Sequence, residues 1–215
     1  MCQVSLIMVS NEKNDEGRRR PYQLRTRARR LEETRRRITE ALVELHRTVG
    51  PARTTVSEVA RRAGVRRMTV YNHFPTELEM IDACSSHWAA QHPPPDPGEW
   101  RAIEDPDLRA RQALERLYAY YRQNADMVGN FLRDAALVPP LREILERKWY
   151  PLIDAMAERL IEGRALDGEK GRRTRAAVDV VLAFHTWRTL SERTLNDVEA
   201  ARLSMAMIRA ADADR

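Results

Sequence analysis

Residues 54–74 read TTVSEVARRAGVRRMTVYNHF, and this stretch constrains the fold more than any other. Thr55 stands three residues before Glu58, the spacing at which a hydroxyl and a carboxylate can cap each other's backbone N–H groups at a helix start. Val59, Ala60 and Ala63 then share one face of a short helix, and Gly64 ends it by offering a left-handed backbone position. Only Val65 and Arg66 separate that glycine from another helix, Arg67 to about Phe74, whose Val70 and Phe74 are four apart and point inward. Helix, tight glycine turn, helix is the resulting reading.

The rest of the chain is helical by the same logic. Among 215 residues there are 8 glycines, and no segment alternates apolar and β-branched residues with polar ones over a strand's length. An all-α fold is therefore expected. A first helix runs from about Thr26 or Leu31 to Val49, with Leu31, Ile38, Leu42, Leu45 and Val49 on one stripe, and Gly50-Pro51 stops it. A second Thr-x-x-Glu box, Thr76 to Glu79, opens a fourth helix reaching about Ala90. The prolines of residues 92–98 then allow no helix. Beyond them lie five helical patterns, 105–124, 126–137, 140–163, 169–192 and 195–212, with Pro151 expected to kink or restart the third. Val178, Val180, Val181, Leu182 and Phe184 leave the fourth of these apolar on nearly every side, and Leu203 and Met207 give the last a second stripe, which suggests a subunit interface or a larger monomeric core.

Charge divides the chain. The first 74 residues hold 17 Lys and Arg against 8 Asp and Glu, whereas the remainder holds 20 against 24. A basic front joined to a mildly acidic remainder suggests a polyanion-binding N-terminal part with a separate task for the C-terminal part. No apolar run approaches the ~20 residues of a membrane span, the first ten residues lack the pattern of a secretory signal, and Cys2 and Cys84 form neither a Cys-x-x-Cys pair nor a disulfide framework. The cytoplasm is the expected compartment.

The helix-turn-helix reading also says which side chains leave the core. Arg66, Arg67, Met68, Thr69, Tyr71, Asn72 and His73 remain outward. Arg can contact guanine bidentately, Asn adenine, and the Thr methyl a thymine methyl, while Tyr and His can hydrogen-bond phosphate.

At this point the residues carry a resemblance. Residues 31 to about 90, most clearly TTVSEVARRAGV followed by MTVYNHFPT, resemble the DNA-binding domain of the tetracycline-repressor (TetR) family of bacterial transcription regulators. The resemblance implies an N-terminal three-helix helix-turn-helix domain joined by a linking helix to a C-terminal helical ligand-binding and dimerisation domain. It implies domains at 1–24 (a basic flexible arm), 25–92 (DNA binding) and 99–215 (effector binding and dimerisation). It implies a homodimer that binds a palindromic double-stranded DNA operator and is released as a repressor by a small-molecule effector. Thr55 would cap its helix and meet a phosphate, Tyr71 and His73 would touch the backbone, and Thr69 and its outward neighbours would face bases. Thr76-Glu77 stands where the family commonly has Ser-Lys, so a phosphate contact there is lost, and Arg66-Arg67-Met68 departs from the usual Ser-Lys-Gly.

Ahead of the first helix, residues 17–30 carry seven arginines among fourteen positions. They are expected to enter the minor groove or lie along phosphates, with a disordered solubilising tail as the alternative. For the effector, Leu117, Tyr118 and Tyr121 on one helix are expected to face Met127, Phe131, Trp149, Ile153 and Met156 around a central space, with Phe184 beside it. A Tyr hydroxyl or His185 would orient a mostly apolar or aromatic molecule, although His185 also suits a core or interface position. Two recognition helices must sit about 34 Å apart on DNA, and the Thr76–Ala90 helix is expected to be the only stiff connection between them and the pocket. The chain has no Gly-x-Gly-x-x-Gly, phosphate-binding Gly-Lys-Ser/Thr, Gly-x-Ser-x-Gly or Glu-x-x-His pattern, and no enzyme activity, cofactor or metal is expected. A ligand-independent dimeric architectural DNA-binding protein is the alternative function.

Overall fold

The computed structural model describes residues 12–164 and 167–213, with side chains from residue 25 onward. The described residues form helices and turns with no strand. The order is α1 (Glu12–Thr48), α2 (Val56–Ala63), α3 (Arg67–His73), α4 (Glu77–Gln91), α5 (Pro106–Gln123), α6 (Ala125–Asp134), α7 (Pro139–Ile144), a π-turn (Leu145–Trp149), α8 (Tyr150–Ile161), α9 (Gly168–Leu182), α10 (Phe184–Glu192) and α11 (Asp197–Asp212).

Ile38, Leu42 and Leu45 of α1 pack on Val59, Ala60 and Ala63 of α2, on Val70 and Phe74, and on Met80, Ile81 and Cys84 of α4. Each large apolar side chain buried there contributes roughly 2 kcal/mol by leaving water. The same cluster continues through Met127 and Phe131 of α6 and Leu141 and Ile144 of α7. The proline stretch therefore interrupts the helices without separating the cores. A second cluster joins Leu114, Leu117, Tyr118 and Tyr121 of α5 to Met156 and Leu160 of α8, Val178, Val181 and Leu182 of α9, Phe184 and Trp187 of α10, and Met205 and Ile208 of α11.

Four local features differ from the sequence reading. Helix α1 begins at Glu12, so residues 12–24, expected as a flexible arm, have helical backbone continuous with the first helix. Arg, Gln, Leu, Glu and Ala dominate here, and all propagate a helix at little cost. The remainder of the expected arm, residues 1–11, lies outside the described residues. At Pro151 the helix is not kinked but widened: Tyr150 N–H bonds Leu145 O across the π-turn, which relieves the clash of a proline ring with the carbonyl four residues back.

The expected 169–192 helix breaks at Ala183, which is extended at φ −66°, ψ 133°. Valines at 178, 180 and 181 lower helical preference before it. The carbonyls freed by the break find donors on α5: Tyr118 Oη donates to Val181 O at 2.8 Å and Tyr121 Oη to Leu182 O at 2.7 Å. Lastly, the reciprocal capping box is at Asn196 and Glu199, opening α11. At the two Thr-x-x-Glu sites, Thr55 Oγ1 accepts from Glu58 N and Thr76 Oγ1 from Glu79 N. Glu58 is drawn away by Arg61 and Arg62, and Glu79 meets the Thr76 hydroxyl itself.

Candidate nucleic-acid interface and apolar cavity

Gly64 makes the interface possible. Its φ of +63° and ψ of 39° are left-handed, a region that costs other residues roughly 1–2 kcal/mol, and Val65 N bonds back to Ala60 O at 2.9 Å to close the turn. Helix α3 then leaves with Val70 and Phe74 buried. The opposite side is open: Thr55, Arg66, Arg67, Met68, Tyr71 and Asn72 are exposed and Thr69 and His73 are half-buried. Met68 is 67% exposed, which is unusual for a large apolar side chain at a helix start.

Local electrostatics leave this surface positive. The Glu58 carboxylate accepts from Arg61 Nη2 at 2.6 Å and Arg62 Nε at 3.2 Å, and these arginines hold its pKa down to about 2. Arg62 also pairs with Glu44. By contrast, Arg66 and Arg67 have no carboxylate partner among the described residues. The C-terminal end of α3 is fixed to α1, since Arg35 Nη1 donates to His73 O at 2.5 Å and its guanidinium lies 4.1 Å from the Phe74 ring centre.

A cavity of about 130 Å³ opens at the seam between the two core clusters. Ser85, Trp88 and Ala89 of α4 form one wall, Met127, Val128, Phe131 and Leu132 of α6 another, and Leu145, Lys148 and Trp149 of the π-turn a third, with Pro94, Tyr120, Ile144 and Leu152 completing it. Of the residues expected around an effector, the structure brings Met127, Phe131 and Trp149 to this cavity. Leu117, Tyr118, Tyr121, Met156 and Phe184 are instead packed into the second core, and Ile153 lies against it. The hydroxyls of Tyr118 and Tyr121 are occupied at the Ala183 break, and Ser204 Oγ lies 2.7 Å from the former. His185 is exposed on α10. The tyrosine on the cavity is Tyr120, whose phenol burial pushes up to about 12.

The sequence reading missed the contributions of α4 and the π-turn. Trp88 and Tyr120 belong to helices whose other apolar positions fill the cores, and spacing alone does not tell a cavity wall from a core face. Helix α4 is also not the sole connection between the cavity and the DNA-facing helices. On the far side of α6, Asn130 Nδ2 donates to His46 O at 3.0 Å and Arg47 O at 2.7 Å, at the end of α1. Asp134 Oδ2 accepts from Ala52 N at 3.0 Å. A Cβ on Gly50, at φ +92°, would collide with the same carboxylate oxygen, so this approach requires glycine. On the other route, Asp82 of α4 pairs with Arg147 at 3.2 Å and Lys148 at 2.8 Å.

Among the described residues no helix is long and apolar enough to cross a membrane, and no group of three or more His, Cys, Asp or Glu side chains could hold a metal ion.

Comparison with known proteins agrees with this architecture. Residues 38–84 match the family described as bacterial regulatory proteins, tetR family. The HTH-type transcriptional regulator SrpR of Pseudomonas putida is 39% identical over 80 residues, 34% of this chain and 37% of that protein. The uncharacterized HTH-type transcriptional regulator TtgW, also of Pseudomonas putida, is 38% identical over 79 residues, 33% of this chain and 58% of that protein. The match thus spans less than two thirds of either relative. In fold, a transcriptional regulator from Rhodococcus sp. RHA1 aligns with a TM-score of 0.57 at 24% identity, covering 84% of this chain and 99% of that one. NalD, the secondary repressor of the MexAB-OprM multidrug efflux pump in Pseudomonas aeruginosa, aligns with a TM-score of 0.54 at 21% identity, covering 83% and 95%. The glycine-turned helix pair, the capped fourth helix and the helical C-terminal part are those of this group, and the chain belongs to the TetR family.

Proposed function

We propose that the protein is a DNA-binding transcriptional regulator, a homodimer that grips a palindromic operator and lets go when a small apolar molecule enters the cavity beside α4. The observation that carries the reading is the outward row on α3, where Arg66, Arg67, Met68, Thr69, Tyr71 and Asn72 stand clear of the core with donors, an amide and a methyl-bearing group within seven residues. Such a row offers the contacts by which a helix reads base edges in the major groove.

Dimerisation is supported by an uncovered apolar face on the C-terminal helices. Val180 of α9 and Val198, Leu203 and Met207 of α11 are between 42% and 50% exposed. Ala206 and Ala210 flank them on α11. Small residues between larger ones let a second pair of helices approach closely, and a two-fold axis matches a palindrome.

The cavity favours a small ligand. Hydrocarbon-lined voids near 150 Å³ accommodate one aromatic ring, and this one holds about 130 Å³ walled mainly by Met, Val, Phe, Leu, Ile and Trp. A ligand that wedges α4 from α6 changes the separation of the two recognition helices, and DNA release follows from its preference for the altered spacing.

The test is operator binding by the purified dimer, with and without a panel of monocyclic aromatic ligands. Asn72→Ala should cost about 1–3 kcal/mol of specific affinity and relax preference at one base pair, and at least one ligand should weaken binding. Equal affinity for all duplexes, unaffected by Asn72→Ala, contradicts the proposal.

A further inference from the structure

The overhang of α1 is a second basic surface. The first buried residue of α1 is Ile38, and residues 27–33 are exposed along the helix before it. Arg35 is tied to the end of α3 through His73 O. From Arg35 back to Arg25 the helix therefore runs past the recognition helix for about 15 Å, which is roughly four base pairs of duplex.

Charge on this overhang is sorted by face. The stripe that enters the N-terminal core, Ile38, Ala41 and Leu45, continues backwards at the same alternating spacing through Thr34, Leu31 and Arg27, with Arg30 beside it. The acids of the segment lie on the other side, where Glu33 and Glu40 hold Arg36 at 2.7 and 2.5 Å. Arg37, one heptad after Arg30, reaches the helix-turn-helix turn: its Nη1 lies 3.8 Å from where a Cβ on Gly64 would be. Among the described residues Arg25, Arg27, Arg29 and Arg30 have no carboxylate partner.

We infer that Arg27, Arg30 and Arg37 form a rigid helical rail that binds the phosphates flanking the bases read by α3. The inference rests on the DNA-binding reading of α3 and adds a partner surface to it. The helical geometry decides how the arginines act. A helix with side chains is about 10–12 Å across, and the minor groove of B-DNA is about 6 Å wide. A helical overhang therefore lies along the backbone instead of entering the groove. Its contribution is independent of flanking sequence, strongly dependent on salt, and lost when the helix is broken even with every charge kept.

The experiment uses the full chain and its selected operator, measuring affinity between 50 and 200 mM salt and the length of DNA protected, with melting temperature as a control for folding. For Arg27→Gln/Arg30→Gln the salt slope should fall by about two, with protection shortened on one flank of each half-site. Ala28→Pro, which keeps every arginine, should produce a similar loss, and Arg27→Lys/Arg30→Lys should retain the wild-type slope on any flanking sequence. An unchanged slope in the Gln variant overturns the rail while leaving the role of α3 intact. Wild-type behaviour of the Pro variant, or a Lys variant impaired only beside A·T-rich flanks, overturns it in favour of a flexible arm in the minor groove. If the wild-type protein binds no duplex, the reading of α3 fails as well.

Discussion

Nδ1 of His46 lies 3.2 Å from Sγ of Cys84, both buried where α1 crosses α4. The same imidazole meets the edge of Phe131 at 5.9 Å between ring centres. One side chain of the DNA-facing domain thus touches both the linking helix and a wall of the cavity. Burial lowers the His46 pKa to about 4, against a smaller raising influence from Asp134, and pushes the Cys84 thiol up to about 12. Both groups are neutral near pH 7, as a contact between two buried polar atoms requires.

Acid should loosen this junction. A histidine whose folded pKa is depressed from 6.5 to about 4 binds more protons unfolded than folded throughout that interval. Its contribution is complete above about pH 6.5 and is lost as the pH falls toward 4. Between pH 7 and pH 5 the wild-type protein should lose about 2 kcal/mol more stability than His46→Gln, at about 1.4 kcal/mol per pKa unit. Urea unfolding at the two pH values measures this. Equal losses would place His46 in a solvated site.

The polar contacts of α6 with the end of α1 give a second expectation. Asp134 is buried, accepts from Ala52 N and pairs with Arg133 at 2.7 Å. Asp134→Ala should cost about 1–3 kcal/mol of stability by orphaning the Ala52 N–H. Asn130→Ala removes two donated bonds without opening the cores, so operator and ligand affinities measured separately should change little. The ligand's effect on operator affinity should shrink several-fold, since that coupling passes through an element both sites bias. An undiminished effect would leave the coupling to α4 alone.

Tyrosines of the core and residues of the cavity should separate cleanly. Tyr121→Phe leaves Leu182 O without its donor, and should lower stability by about 1 kcal/mol while ligand affinity stays constant. Met127→Ala opens the cavity wall and should change ligand affinity about ten-fold or more, as well as costing about 2–5 kcal/mol of stability. Calorimetric titration of both variants decides the matter. A ligand that responds to Tyr121 and not to Met127 would move the site into the second core.

The order of helices and the outward row of α3 were legible in the sequence because both follow from local rules: a capped start, a glycine at positive φ, and apolar residues three and four apart. Other features depended on contacts between distant segments. The break at Ala183 is stabilised by hydroxyls about sixty residues earlier, on Tyr118 and Tyr121, and nothing in residues 176–187 announces it. The same two tyrosines, read as cavity residues from their shared face, serve that break instead. His185 was apolar in its sequence surroundings but falls on an exposed side of α10. Trp88 could not be told from a core residue, because a cavity is defined by what fails to fill it.

The central claim is that two copies of α3, held by their C-terminal helices, read neighbouring major grooves. Selection of bound sequences from a random duplex pool by the purified full-length protein tests it most directly. The account predicts enrichment of a two-fold-symmetric site whose half-sites are centred about one helical turn, or a multiple of it, apart. Recovery of no common sequence, or of a single asymmetric half-site bound by one subunit, would contradict it.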